Sequence, residues 1–255
     1  MFLLNNNDES VILIVRFGDT MKLDYFILED KVYCCKSVPN NMKNIIVYCH
    51  GFGENKEMIY QHAEILNSNN TGIISFDFPC HGDDKLDDSH FNLTNCILYL
   101  NIVIEYAKKY NVPIFLMGDS FGGYIILSRL NKVDEKFDRV FLKYPAVNFY
   151  GCTKRRLKID LDYFNNRKYY QFLNGRKMYK ESFIEFMNDD LMNSFYKHNC
   201  DIYILHGDED TTVLLNDIKY FCNNNDIEYK VIKGARHGMK EYLDVVNEEL
   251  LNYIK

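Results

Sequence analysis

From residue 44 onward, short apolar runs alternate along the chain with longer segments that have helical periodicity. The inner runs, such as IIVYC and PIFLMG, are apolar throughout instead of alternating between apolar and polar residues. Runs of this kind are typical of strands that are buried on both faces, as in a parallel sheet with helices on either side. The alternation therefore predicts an α/β fold built on a mostly parallel sheet.

The predicted sheet has eight strands, at residues 11–17, 25–35, 44–49, 72–77, 113–118, 139–144, 201–206 and 228–233. Helices are predicted at residues 56–68, 92–109, 120–130, 214–223 and 237–254. The first two strands have no helix between them. Because a parallel pair needs a long crossover, we expect the sheet to start with antiparallel strands.

The alternation stops between about residues 148 and 198, in a stretch rich in Tyr, Phe, Lys and Arg. Within it, Asn174-Gly175 is a good indicator of a two-residue hairpin. A stretch of roughly 50 residues is far longer than an ordinary connection, although an irregular connection is the alternative. We predict that residues 1–147 and 199–255 form the core, and that residues 148–198 form a small inserted cap over the carboxyl ends of the strands.

Overall charge argues against a nucleic-acid partner. The chain has 255 residues, enough for one domain with a substantial core, and a formal net charge of −6. Binding to a polyanion needs a concentrated basic surface. One basic cluster is present, formed by Lys154, Arg155, Arg156 and Lys158. We interpret it as a solvated face, with guidance of an anionic substrate as the alternative.

The spacing of the cysteines argues against a metal site, and the lack of a long apolar run argues against a membrane location. Eight cysteines form no C-x-x-C pair and no zinc-like spacing with histidine, so they are expected to be reduced thiols and not metal ligands. The opening MFLLNNNDES lacks the basic segment of a secretory signal, and no run approaches the roughly 18 apolar residues of a membrane span. We expect a cytoplasmic protein with no membrane partner.

The strongest local motif is GDSFGG at residues 118–123, which matches G-x-S-x-G. It follows the apolar run PIFLM and precedes the helical pattern YIILSRL, which is the strand, turn and helix context that the motif requires. Gly118 and Gly122 would allow close backbone approach in a tight turn. The motif predicts Ser120 as a nucleophile, with the N–H of Phe121 directed at a developing oxyanion.

A second motif, His50-Gly51-Phe52-Gly53, directly follows the apolar run IIVYC. A loop in this place lies beside the nucleophile turn, and glycines on both sides would let the Phe52 N–H face the site. Phe52 and Phe121 are therefore the predicted oxyanion donors. His50 is predicted to brace the loop and not to act in catalysis.

The remaining catalytic candidates lie at the ends of the last two strands. In ILHGDEDTTV, acids follow the strand at positions 208, 209 and 210, and the pattern H-G-x-x-D-x-x-V favours Asp210 over Asp208. His237 lies just after the last predicted strand, flanked by Gly234 and Gly238. A carboxylate at a strand end can orient a histidine that serves as general base. The chain order of Ser120, Asp210 and His237 is the one that a G-x-S-x-G turn predicts.

Together these motifs resemble the α/β-hydrolase superfamily over essentially the whole chain. The resemblance is nearer to small bacterial cinnamoyl (feruloyl) esterases and to the serine aminopeptidase and monoglyceride lipase-like group. HGFGENKE is similar to their oxyanion loop, FDFPCHGDD to their D-x-x-G-H-G-x-S loop and GDSFGG to their G-H-S-Q-G-G elbow. Asp119 replaces the usual His of that elbow, and we expect it to add negative charge near the site and to disfavour anionic acyl groups.

The expected activity is that of a serine carboxylesterase, acting through an acyl-enzyme on small esters of aromatic, hydroxycinnamoyl type. Neither a metal nor an organic cofactor is needed for this chemistry. Aromatic residues in and beside the predicted cap are candidate substrate contacts, namely Tyr144, Tyr150, Tyr169 and Phe172. Exposed aromatic residues of the cap could serve a homodimer as well as a small-molecule substrate.

Three alternatives use the same scaffold. A serine peptidase would be favoured by an acidic patch that captures a substrate amine, for which Glu181, Glu185, Asp189 and Asp190 are candidates. A monoacylglycerol-type lipase would be favoured by a large exposed apolar cap. A binding protein without catalytic activity would usually lack a member of the triad.

Overall fold

The computed structural model of the chain describes residues 10–17, 21–195 and 200–255. Its strands are β1 (Ser10–Phe17), β2 (Met21–Leu28), β3 (Val32–Ser37), β4 (Asn44–Cys49), β5 (Thr71–Phe76), β6 (Ile114–Asp119), β7 (Val140–Lys143), β8 (Tyr169–Gln171), β9 (Lys177–Tyr179), β10 (Ile202–Gly207) and β11 (Glu228–Ile232). Its α-helices are α1 (Tyr60–Ser68), α2 (Leu93–Lys108), α3 (Phe121–Lys132), α4 (Phe149–Leu157), α5 (Lys180–Asn188), α6 (Leu191–Ser194), α7 (Leu215–Asn225) and α8 (Leu243–Ile254).

The main sheet has the strand order β1-β2-β3-β5-β4-β6-β7-β10-β11. The strands from β5 to β11 in this order pair in parallel, whereas β1, β2 and β3 pair with their neighbours in antiparallel fashion. The predicted fold class, a mostly parallel sheet flanked by helices with an antiparallel start, is confirmed. Within the described ranges, no helix combines the length and the apolar character that a membrane span requires.

The predicted strand at residues 25–35 is instead two strands, so the sheet has nine strands where eight were expected. A turn separates β2 from β3, with Lys31 N–H donating to the Leu28 carbonyl at 3.1 Å. Glu29 and Asp30 both take positive φ, at 47° and 54°. Apolar residues continue on both sides of this turn, and its two acids are not the Asn-Gly or Asp-Gly pair that normally indicates a hairpin.

Both faces of the sheet are covered by helices. In β4, Ile45 and Val47 join a core cluster with residues of α2 and α3, whereas Ile46 and Tyr48 join a second cluster with residues of α1 and α8. Successive side chains of a strand point to opposite faces, so a strand that lies between two helical layers must be apolar at every position. This explains the uninterrupted apolar runs of the sequence.

Between β7 and β10 lie α4, the β8–β9 hairpin, α5 and α6. The hairpin forms around the predicted Asn174-Gly175, but its loop is longer than two residues, because the Phe172 N–H donates to the Arg176 carbonyl at 2.8 Å. Gly175 has a φ of 85°, which favours glycine. The predicted boundary at residues 198 and 199 lies outside the described residues, and the division into core and cap stays a prediction.

Candidate active site

Ser120 lies at the sharp turn between β6 and α3. Its φ of 47° and ψ of −107° are unusual for a residue with a side chain. Its N–H donates to the Lys143 carbonyl at 2.9 Å, and its own carbonyl accepts from the Ala146 N–H at 3.0 Å. A Cβ atom at Gly122 would overlap the Cys49 carbonyl, and one at Gly118 would lie 2.7 Å from the Gly123 nitrogen. The turn therefore needs both glycines and raises Ser120 above the sheet edge.

The structure brings the three predicted triad residues together. Ser120 Oγ lies 3.0 Å from His237 Nε2, and His237 Nδ1 lies 2.7 Å from Asp210 Oδ2. His237 follows β11, and Gly238 beside it has a φ of 96°. Because the carboxylate can only accept, Nδ1 carries the proton and Nε2 is free to accept from the Ser120 hydroxyl. This tautomer is the one that a general base requires.

Asp210 is buried and fully engaged by hydrogen bonds. Its Oδ1 accepts from the N–H groups of Thr212 at 2.7 Å and Val213 at 3.0 Å. Burial on its own would raise the pKa of Asp210, but the hydrogen bond from His237 and the two backbone donors outweigh it and hold the pKa below its usual value. The carboxylate thus stays charged beside His237 and can stabilise an imidazolium.

The two acids that precede Asp210 serve elsewhere. Asp208 Oδ1 accepts from the Gly234 N–H at 2.6 Å, and the exposed Glu209 lies 3.6 Å from Arg236. Of the three acids after β10, Asp210 alone contacts His237 among the described residues. The pattern that favoured Asp210 over Asp208 therefore agrees with the geometry.

Phe52 and Phe121, the predicted oxyanion donors, line the same cavity as Ser120. Phe52 is held in a turn in which the Gly51 N–H donates to Glu54 Oε2 at 2.9 Å and the Glu54 N–H donates to the Gly51 carbonyl at 3.1 Å. Phe121 begins α3, where the first N–H groups of a helix have no intrahelical acceptor. Among the described residues, neither the Phe52 N–H nor the Phe121 N–H has a hydrogen-bond acceptor, so their role as oxyanion donors remains a prediction that this placement allows.

His50 braces this loop, as predicted. Its Nδ1 lies 2.8 Å from the Gly51 carbonyl, and its Nε2 accepts from the Phe78 N–H at 3.2 Å. His81 packs with its ring edge-on to Phe52 at 5.4 Å between centroids. Within the part of the chain that the structure describes, neither histidine ring forms a hydrogen bond with Ser120 or His237. Both histidines therefore support the loop that carries the Phe52 N–H.

A cavity of about 390 Å³ opens over Ser120 and His237. Of the four predicted substrate contacts, Tyr144 and Phe172 line it, whereas Tyr150 and Tyr169 do not. Tyr150 packs against the core from α4 and lies under Lys154. Tyr169 is on an outer position of the hairpin, facing Lys177. The geometry therefore supports Tyr144 and Phe172 and gives no support to Tyr150 and Tyr169, since aromatic content alone does not tell which face of a helix or hairpin a residue occupies.

Asp119 does not line the cavity, and the negative charge expected of it is compensated inside the fold. Its side chain is buried and pairs with Lys143 on the neighbouring strand β7. Lys143 was not among the predicted residues, although a lysine inside the apolar run FLKY indicates a buried charge that needs a partner. Phe149, Met178 and the other lining residues of the insertion were not predicted either. Among the described residues, no group of three or more metal-ligating side chains could hold a metal ion.

Two family sequence models match the chain. One, described as serine aminopeptidase S33, matches residues 40–159. The other, described as the prolyl oligopeptidase family, matches residues 103–254, which is more than half of the chain. A protein of Mycoplasma genitalium with the name "Putative esterase/lipase 2" is 25% identical over 252 residues, covering 85% of this chain and 92% of that protein.

Solved structures show the same architecture. Est1E from Butyrivibrio proteoclasticus, with ferulic acid bound, has a TM-score of 0.76 and 21% identity, covering 95% of this chain and 99% of that chain. A monoacylglycerol lipase from Paleococcus ferrophilus has a TM-score of 0.67 and 16% identity, covering 88% of this chain and 98% of that chain. At these identities the likeness shows the fold alone. The chain has the α/β-hydrolase fold, and the match over residues 103–254 shows that it belongs to the prolyl oligopeptidase family.

Proposed function

We propose that this protein hydrolyses carboxylic esters through an acyl-enzyme on Ser120. The observation that carries the proposal is the continuous hydrogen-bonded series from Ser120 Oγ through His237 to Asp210, at 3.0 Å and 2.7 Å, opening on a cavity. A nucleophile, a base in the correct tautomer and an orienting carboxylate are the parts that acyl transfer needs.

In the proposed first step, Ser120 Oγ attacks the ester carbonyl carbon while His237 Nε2 takes the hydroxyl proton. The carbonyl π electrons move to oxygen, and the N–H groups of Phe52 and Phe121 stabilise that oxyanion. When the tetrahedral intermediate collapses, the bond to the leaving oxygen breaks and His237 gives its proton to the departing alcohol. Water then attacks the acyl-enzyme by the same route, which releases the acid and restores Ser120.

The proposed substrate is a small ester with an apolar or aromatic acyl group, of hydroxycinnamoyl type. Support comes from the walls of the cavity, which include Phe121, Phe149, Phe172 and Met178. A volume of about 390 Å³ lies within the range of small-ligand pockets. Ferulic acid, the ligand of the structurally similar Est1E, is itself a hydroxycinnamate, and the Mycoplasma relative carries an esterase/lipase name.

Peptide hydrolysis is the alternative that the family descriptions raise. None of the four acids considered for amine capture, Glu181 included, lines the cavity. Glu185 accepts from the Thr94 N–H at 2.9 Å, Asp189 pairs with Lys132, and Asp190 accepts from the Asn193 amide at 2.7 Å. Among the described residues, Glu54 is the one carboxylate that lines the cavity, and it accepts a hydrogen bond from the Gly51 N–H. These placements favour an ester substrate over an amine-bearing peptide.

The test is hydrolysis of a panel of esters and amides by the intact protein and by Ser120→Ala. The panel contains short-chain and long-chain 4-nitrophenyl esters, methyl ferulate and an aminoacyl 4-nitroanilide. Ser120→Ala should lower ester turnover by about 10⁴-fold or more, and Ser68→Ala, a substitution on the exposed end of α1, should not. The preferred substrate then separates esterase, lipase and peptidase.

Labelling with a fluorophosphonate gives a second readout that does not depend on guessing the substrate. Modification of Ser120 that is lost in Ser120→Ala would establish the activated nucleophile. Absence of turnover for the whole panel together with absence of labelling would overturn the proposal and leave a binding protein on a hydrolase scaffold.

A further inference from the structure

Helix α4 presents one face to the active-site cavity. The residues of this face that line the cavity follow the pattern i, i+3, i+4 and i+7, which is typical of one helix face, and are Phe149, Cys152, Thr153 and Arg156. Phe149 lies at the inner end of this face, with its ring 6.2 Å from that of Phe121 beside Ser120. Arg156 is seven residues further along, which corresponds to about 10 Å of helix. The face thus runs from apolar residues near the reacting centre to one cation.

The neighbouring cations of α4 are paired with acids, but Arg156 is not. Lys154 lies 3.6 Å from Asp160, and Arg155 lies 3.1 Å from Asp217. Arg156 Nη1 makes a long contact of 3.5 Å with the Thr212 hydroxyl and has no acidic partner in the part of the chain that the structure describes. Of the basic cluster found in the sequence, Arg156 is therefore the member with an unused charge at the cavity.

The cavity of this acidic protein is lined by more cationic than acidic side chains. Apart from the proposed catalytic residues, the charged side chains of the lining are those of Arg156, Lys240 and Glu54. Burial and the nearby Asp119 raise the pKa of the Glu54 carboxyl, which leaves one carboxyl group facing two cations in the lining. Asp119 itself is compensated by Lys143 outside the cavity. A chain of net charge −6 thus encloses a cavity with an excess of positive charge.

We infer that the site takes esters that carry an anionic group, such as a carboxylate, at the end remote from the scissile bond, and that Arg156 determines this specificity. The inference rests on the proposed esterase function and narrows its substrate class. An apolar stretch of substrate lies along Phe149 and Cys152, and the remote anion meets the guanidinium, whose fork of N–H donors matches a carboxylate. The aromatic acyl group proposed above is consistent with this inference if the substrate also carries such an anionic group.

The test uses substrate pairs that differ in the remote charge. On the acyl side, the mono-4-nitrophenyl esters of glutarate and suberate are compared with 4-nitrophenyl valerate and octanoate, in which a methyl group replaces the carboxylate. On the alcohol side, 4-carboxyphenyl valerate is compared with 4-methylphenyl valerate. For each pair the measured quantity is the ratio of kcat/KM for the charged ester to that for the neutral one.

Arg156→Gln should lower this ratio by about fivefold, as expected for loss of a partly exposed ion pair, with the change mainly in KM. If the anion is on the acyl side, the ratio for the suberate pair should fall more than that for the glutarate pair, because the suberate chain is long enough to span the apolar stretch. If the anion is on the alcohol side, the ratio for the carboxyphenyl pair should fall. Lys154→Gln, on the outer face of α4, should leave the ratio unchanged. About 0.5 M NaCl should reduce the ratio of the intact protein but not that of Arg156→Gln.

Equal ratios in the intact protein and Arg156→Gln for every pair would overturn the inference, and active hydrolysis of the neutral esters would show that the proposed function survives. If Arg156→Gln does not fold, two other measurements test the inference: the salt dependence of the ratio in the intact protein, and the ratio in Arg156→Lys. A lysine keeps the positive charge, so Arg156→Lys should retain part of the preference for the charged esters. Absence of any Ser120-dependent hydrolysis would overturn both proposals.

Discussion

The carboxylate of Asp119 lies 2.8 Å from the ammonium group of Lys143, and their side chains are only 2% and 3% exposed. The same Asp119 oxygen accepts hydrogen bonds from the hydroxyls of Tyr48 at 2.8 Å and Tyr144 at 3.1 Å. Asp119 directly precedes Ser120, and the ring of Tyr144 lies 4.7 Å from that of His237. The buried ion pair thus lies next to Ser120 through Asp119 and next to His237 through Tyr144.

Lys143→Met should destabilise the protein by about 3–5 kcal/mol, because it leaves the Asp119 carboxylate buried without a countercharge. The double variant Asp119→Asn/Lys143→Met should recover most of this loss, since it removes both charges. Urea unfolding measures the two free energies. The control is Lys154→Met, which breaks an exposed pair with Asp160 and should cost less than about 1 kcal/mol. Equal costs for the two single lysine variants would contradict the prediction.

Asp210→Asn should lower kcat for ester hydrolysis by about 10⁴-fold, because an amide at this position can donate to His237 Nδ1 and so favours the wrong tautomer. The matched control is Glu209→Gln, a substitution of the adjacent, exposed acid that contacts Arg236 instead of His237. Initial rates on a 4-nitrophenyl ester suffice for the comparison. A similar loss in both variants, or none in Asp210→Asn, would show that the carboxylate does not orient the histidine.

Ser120, Asp210 and His237 could be located from the sequence because each follows a segment whose hydrophobic pattern predicted a strand. The carboxyl ends of parallel strands meet at one edge of a sheet, so topology alone brings residues from distant motifs together. The same reasoning located Phe52, which follows β4, beside Ser120. For these residues, position along the chain and pattern of hydrophobicity were sufficient.

Residues whose placement depends on a helix face or on a partner could not be found in this way. Tyr150 and Phe149 are adjacent in sequence, yet of the two only Phe149 lines the cavity. The sequence could not distinguish them, because α4 was not predicted and its orientation was unknown. The compensation of Asp119 depends on Lys143, which reaches it only through the pairing of β6 with β7. The β2–β3 turn went unnoticed because its Glu29-Asp30 pair takes a left-handed conformation that glycine or asparagine would have indicated.

Gly122→Ala should abolish folding or destabilise the protein by about 3 kcal/mol or more, because the new Cβ would overlap the backbone carbonyl of Cys49, and a carbonyl in a central strand cannot move aside. Gly175→Ala provides the comparison. That glycine has a φ of 85° at the tip of the hairpin, and an added Cβ would meet no atom within 4 Å, so alanine should cost only about 1–2 kcal/mol of backbone strain. Thermal unfolding of both variants checks the order, and a cost for Gly175→Ala equal to that of Gly122→Ala would contradict it.

The buried histidines His50 and His62 should make the protein less stable in mild acid. Burial lowers the pKa of each to about 3, from 6.5 in the unfolded chain. In each ring one nitrogen accepts a hydrogen bond, from the Phe78 N–H to His50 and from the Lys143 ammonium to His62, so a second proton would break that contact. Only the unfolded chain takes up these protons between pH 6.5 and about 3, so their stabilising effect is complete above pH 6.5 and is lost progressively below it.

Each of these histidines should cost about 1.4 kcal/mol per pH unit once the pH is well below 6.5. The variant His62→Gln, which cannot take up a proton, isolates one of the two contributions. Between about pH 7 and pH 5 its free energy of unfolding should fall by about 2 kcal/mol less than that of the intact protein. Urea unfolding across this range measures both curves. Parallel curves would mean that His62 is protonated in the folded protein, which its contacts with Lys143 and Asn247 argue against.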